Sequence, residues 1–173
     1  MTDQQETSAQ ASVEDSLKQV MDLLTRHHLV ESLVHKQDMP RHELVEALVH
    51  KQNLVELQKR LEQLHSADVA YILEALPLED RELVWDLVKA DRDGDILLEV
   101  SDAVRESLIA TMDNRELVAA AASLDTDEIA DLAPDLPKDV VQELRKSLDH
   151  AKRAQVESSL SYDDDSVGAL MDY

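Results

Sequence analysis

Cysteine and phenylalanine are both missing from this 173-residue chain, which has only two glycines, Gly94 and Gly168, and four aromatic residues, Tyr71, Trp85, Tyr162 and Tyr173. Without cysteine there is no disulfide, no thiolate nucleophile and no thiolate metal site, so oxygen and imidazole are the available ligands. Two glycines leave little scope for β-hairpin turns or phosphate-cradling loops. The core must be aliphatic, and Leu, Val and Ala make it helix-prone. No run approaches the roughly eighteen apolar residues of a membrane span, and the first ten residues carry neither the basic nor the apolar region of a signal peptide. The expected setting is soluble and cytoplasmic.

Positive charge is also scarce. Lys and Arg number 17 against 38 Asp and Glu, a formal net charge of −21. A phosphate backbone is repelled by such a surface, which excludes nucleic acid as a partner. Divalent cations are the natural guests of clustered carboxylates.

Residues 1–12 are polar, lack apolar periodicity and are expected to be a disordered tail. From Val13 the period is helical: Val13, Leu17, Val20 and Leu24 share a face, with Leu29 and Leu33 continuing toward a stop at Pro40. A second helix carries Leu44, Leu48, Leu54, Leu57 and Leu61. Segments 31–39 and 46–54 are near copies of each other, a duplicated helix. His35, His42 and His50, seven and eight residues apart, scatter over both and read as exposed helical histidines rather than ligands.

A longer repeat recurs at an offset of sixty. Ser66 to Pro77 matches Thr126 to Pro137, each copy a hydroxyl residue in the N-cap position, an apolar stripe and a Leu-Pro stop, followed by another helix. Two short helices are expected between the copies, one capped by Ser101 and one opened by Asp113 and Glu116 at capping-box spacing. Helices of about ten residues are marginal alone and must stack to bury their stripes. The predicted fold is all-α, a right-handed superhelix, or solenoid, of short antiparallel helices.

Two acidic clusters are candidate sites. Asp91-Arg92-Asp93-Gly94-Asp95 places carboxylates as a calcium loop does, but Ile96 stands where the sharp turn requires glycine and Asp102 where a bidentate Glu belongs. An acidic turn between helices, with Gly94 supplying backbone freedom, is the preferred reading. Asp127 and Asp131 are four apart on one helix face, a like-charge pair that costs a few tenths of a kcal/mol unless a cation neutralises it. An acidic solvated face beside a helix start is the alternative. No Gly-x-Ser-x-Gly elbow, HExxH helix or Walker loop is present, so no enzyme is expected.

The closing stretch Leu160-Ser161-Tyr162-Asp163-Asp164-Asp165-Ser166-Val167-Gly168-Ala169-Leu170-Met171 resembles the hinge of MgtE-type magnesium transporters, and the Leu-Pro-punctuated helices of 54–160 resemble that family's N-terminal domain. After the tail at 1–12, the expected organisation is a helical superhelical domain of that type at 13–160, whose first helices extend beyond the family's core pattern, and, as the resemblance implies, a linker at 161–173 leading into a CBS domain pair. The resemblance also implies a cytoplasmic magnesium-sensing domain on the inner face of the plasma membrane, in a homodimeric channel whose CBS pair and transmembrane domain lie outside this chain. Mg²⁺ would bridge the domain to the CBS pair and close the pore. The family's acidic positions fall on Asp127 and Asp131, with Glu99 a further match. Mg²⁺ binding by the separate domain would be weak, because this ion keeps several waters and half a site holds it loosely. The alternative is a helical scaffold that binds a basic protein partner, as flagellar-switch-like superhelices do.

Overall fold

A computed structural model describes the backbone of residues 2–34 and 40–148 with residues 152, 155 and 156, and the side chains of 12–30 and 51–148 with those same three. His35, His42 and His50 and the stretch 160–171 lie outside the described side chains. Among the described residues there are nine bounded α-helices and no strand. The chain divides into two compact units, Met1–Val88 and Lys89–Tyr173.

The first unit holds α1 (Thr2–Val34), α2 (Pro40–Glu62), α3 (Ser66–Ala75) and α4 (Leu78–Leu87). α1 begins at Thr2, so the backbone of 2–12 is helical rather than the disordered tail its polarity suggested. The physical reason is local: this stretch contains no proline or glycine, and its Gln, Glu and Ala are good helix formers that extend a nucleated helix without needing an apolar face. Pro40 sits at the first position of α2, where its missing N–H is harmless. Val20 and Leu24 from α1, Leu57 and Leu61 from α2, Ile72 and Leu73 from α3, and Val84 and Trp85 from α4 are buried. α1 packs along α2, and α2 against α4. Polar contacts fix the ends: Arg60 Nη2 donates to the buried Ser16 Oγ at 3.0 Å, and His28 Nε2 lies 2.5 Å from Asp80 Oδ1.

The second unit holds the 3-10 turn Ala90–Arg92, α5 (Asp93–Glu99), α6 (Asp102–Ile109), α7 (Asn114–Ala122), α8 (Thr126–Leu132), the 3-10 turn Ala133–Asp135 and α9 (Lys138–Ser147). Its core is Ile96, Leu97, Leu108, Leu117, Ala121, Leu124, Ile129, Leu132, Val140 and Leu144. α6 and α7 are the two helices expected between the repeat copies, and Ser101 takes the N-cap position of α6, although its side chain accepts no cap hydrogen bond. The capping box of α7 is complete: Asp113 Oδ1 accepts from Arg115 N and Glu116 N at 2.7 and 2.9 Å, and Glu116 Oε2 accepts from Asp113 N at 2.7 Å.

Two details depart from the sequence reading. Ser66 and Thr126 are the first helical residues rather than N-caps, because His65 and Asp125 take the extended cap conformation one residue earlier. Glu128 Oε2 accepts from Asp125 N at 2.8 Å, a contact available only at that spacing. Segment 91–95 is not a loose acidic turn but runs from a 3-10 turn into α5. Gly94 has no positive φ, and its role is close approach: an added Cβ would lie 2.5 Å from the Ala120 carbonyl oxygen and 2.9 Å from Leu124 Cδ2. Glycine is what lets α5 sit directly on α7.

The helices end in a repeated way. Leu76, Val100, Leu136 and Leu148 each follow a helix in extended conformation, and each is buried. Proline follows two of them, Pro77 and Pro137, as the Leu-Pro reading expected.

Candidate functional site

Asp127 and Asp131 both lie on α8, whose other face buries Ile129 and Leu132 completely. A heptapeptide helix with its apolar residues at 129 and 132 must turn 127 and 131 away from the core. Asp127 is partly exposed and Asp131 exposed, and Asp127 sits in the first turn, where the helix dipole favours a carboxylate. Glu99 is exposed at the last residue of α5, and α5 packs against α8. The fold therefore brings the three residues onto neighbouring helices of one unit. Among the described residues, no group of three or more His, Cys, Asp or Glu is arranged to hold a metal ion. The chemistry of Asp127 and Asp131 suits a hard cation that keeps most of its water and takes only one or two carboxylates from this surface.

The acidic run at 91–95 has a distinct property. Asp93, half-buried at the start of α5, has its pKa pushed up to about 6 by burial first, then by the charges of Glu116 and Asp91. The sequence reading did not single out Asp93 among its neighbours, since Glu116 arrives from α7, more than twenty residues on. Asp139, at the start of α9, goes the other way: Asn114 Nδ2 donates to its Oδ2 at 2.8 Å and lowers its pKa.

Arginine supplies the other missed feature. Arg105 Nε donates to Leu97 O at 2.6 Å and Nη2 to Val100 O at 3.2 Å, while Nη1 meets Asp135 Oδ2 at 2.7 Å. Arg81 does the same one helix pair earlier, its Nε donating to Leu73 O at 2.9 Å and its Nη2 to Leu76 O at 3.1 Å. Each guanidinium closes the carbonyl end of the helix before it, which a lone residue in the sequence does not announce.

Short helices that bury aliphatic stripes and turn acidic residues outward define an all-α domain. The family model described as MgtE intracellular N domain matches residues 64–165, and the chain belongs to that family. Its fold is shared with the soluble part of a magnesium transporter, at TM-score 0.60 and 16% identity over 92% of this chain and 53% of that one. It is shared also with the cytosolic domain of the Mg²⁺ channel MgtE solved in complex with ATP, at TM-score 0.56 and 23% identity over 72% of this chain and 51% of that one. The chain thus spans about half the length of the structures it matches. No curated protein matches it. Among the described residues no helix is long and apolar enough to cross a membrane.

Proposed function

We propose that this domain senses Mg²⁺ for a magnesium transporter or channel, gating it through a Mg²⁺-bridged contact with a CBS domain pair in a homodimer. The observation that carries the reading is the family match over 64–165, which spans the helix bearing Asp127 and Asp131. Asp127 and Asp131, with Glu99 on the neighbouring α5, would offer part of a coordination shell, and the CBS pair the rest. Mg²⁺ then holds the compact state, and its loss releases the domain. Physically this is a two-state equilibrium biased by a ligand that binds one state better. The bridging charges need no deep pocket, because the ion keeps several waters.

The domain joined to its CBS pair tests the reading by limited proteolysis across a Mg²⁺ titration. Magnesium is expected to protect the joined protein, and Asp127→Ala with Asp131→Ala to shift the protecting concentration upward. Equal cleavage with and without Mg²⁺, or an unshifted titration in the double variant, would overturn it.

A further inference from the structure

The offset-sixty repeat makes an arginine conspicuous by its replacement. Leu73, Leu76 and Arg81 of the first copy correspond to Ala133, Leu136 and Val141 of the second. Where Arg81 lies over the carbonyls of Leu73 and Leu76, Val141 is too short to reach its counterparts, and Ala133 is smaller than Leu73. The consequence is a groove of about 510 Å³ lined by Ala133, Pro134, Leu136 and Val141, flanked by the exposed Lys138 and Arg145. Its wall is mainly hydrocarbon, and among the described residues no carboxylate lines it. In a chain of net charge −21 that is an unusual surface, apolar in the middle and cationic at the side.

We propose that this groove is the docking site of the chain's own segment Leu160–Asp165, with Leu160 and Tyr162 in the apolar part and the three aspartates against Lys138 and Arg145. Charge and polarity match: Leu160-Ser161-Tyr162 supplies two large apolar groups, and Asp163-Asp164-Asp165 is the only run of three consecutive acids in the chain. The distance matches as well. Lys152 Nζ donates to Leu124 O at 3.3 Å and Thr126 Oγ1 to Gln155 Oε1 at 3.5 Å, which puts Lys152 and Gln155 beside the start of α8. From there to the groove, α8 and its 3-10 turn run about 16 Å. The residues from Val156 to Asp164 extend up to about 27 Å, so the segment reaches with slack. Docked there, the strap would fix the direction in which the chain leaves the domain, independently of any magnesium contact.

The absence of cysteine makes a direct test available in the full 173-residue chain. Gln142→Cys with Ser161→Cys is oxidised gently and the products are separated without reductant. An intramolecular disulfide is expected, formed about tenfold more slowly when Val141→Arg is added, because the new side chain fills the groove as Arg81 does. That variant adds a positive charge, so a merely electrostatic attraction would instead speed the reaction. Lys138→Glu with Arg145→Glu, both at exposed positions, should slow it too, and replacing the three aspartates by lysine should restore it. Failure of the disulfide to form, formation only between two chains, or rates indifferent to both sets of changes would overturn the proposal.

Discussion

Gly94 lies so close to Ala120 that a Cβ on the first would come within 2.5 Å of the carbonyl oxygen of the second. The obstacle is backbone, which moves only by shifting α7 itself. Gly94→Ala is expected to destabilise the protein by about 2 kcal/mol, although alanine is the better helix former. Urea denaturation followed by circular dichroism measures this, and a neutral or stabilising result would contradict the close approach.

Asp93 makes stability depend on pH with a definite sign. Its pKa in the folded protein, about 6, stands above its ordinary 3.8. The folded state therefore binds the proton more tightly, and the contribution is complete below the ordinary value and is lost as pH rises toward 6. Asp93→Asn should remove this slope. At neutral pH it should stabilise by on the order of 1 kcal/mol, a figure already reduced for solvent screening at a half-exposed site. Denaturation midpoints of parent and variant at several pH values give the comparison.

The α7 capping box and Asp93 share one residue, Glu116. Glu116→Gln keeps an acceptor for the Asp113 N–H, because glutamine serves in a capping box, but removes a charge from beside Asp93. The Asp93 pKa is expected to fall while α7 stays capped. Asp113→Ala should instead cost about 1 kcal/mol and speed amide exchange in the first turn of α7. NMR titration of the Asp93 carboxyl and hydrogen exchange separate the two.

Arg105 is nearly desolvated, its side chain 14% exposed, and it holds the carbonyls of Leu97 and Val100 together with Asp135. Arg105→Met leaves those acceptors without their charged donor and should destabilise by about 2 kcal/mol. Arg105→Lys should recover little of it, because a single ammonium cannot reproduce the planar fork. Thermal unfolding of both variants measures the difference.

Much of the helical plan was legible because its signals are short-range. Asp113 with Glu116, Ser101 before Val104, and the Leu-Pro steps at 76–77 and 136–137 act within four residues, and each stands where its local chemistry requires. The N-caps at His65 and Asp125 were displaced by one residue, since Ser66 and Thr126 suit a cap position and a first helical position almost equally. Gly94, Arg81 and Arg105 were opaque for another reason. Their partners are supplied by other turns or helices, and no periodicity records which carbonyl a side chain will meet. The acidic surface was legible in outline: α8 turns Asp127 and Asp131 outward as the spacing of Ile129 and Leu132 demands. The raised pKa of Asp93 was not, because burial is a property of the assembled core.

The buried, extended residues that end the helices bear on how such a chain can change in length. Leu76, Val100, Leu136 and Leu148 are each a connector and a core side chain at once. One extra residue beside any of them reverses the direction of the next side chain and pulls an aliphatic group out of the interior. Insertions and deletions are therefore confined to connectors that bury nothing, such as the exposed Ala110 and Thr111 after α6. The connectors at Leu76, Val100 and Leu136 fix the spacing of the helices they join, whereas the exposed connector after α6 leaves room for change.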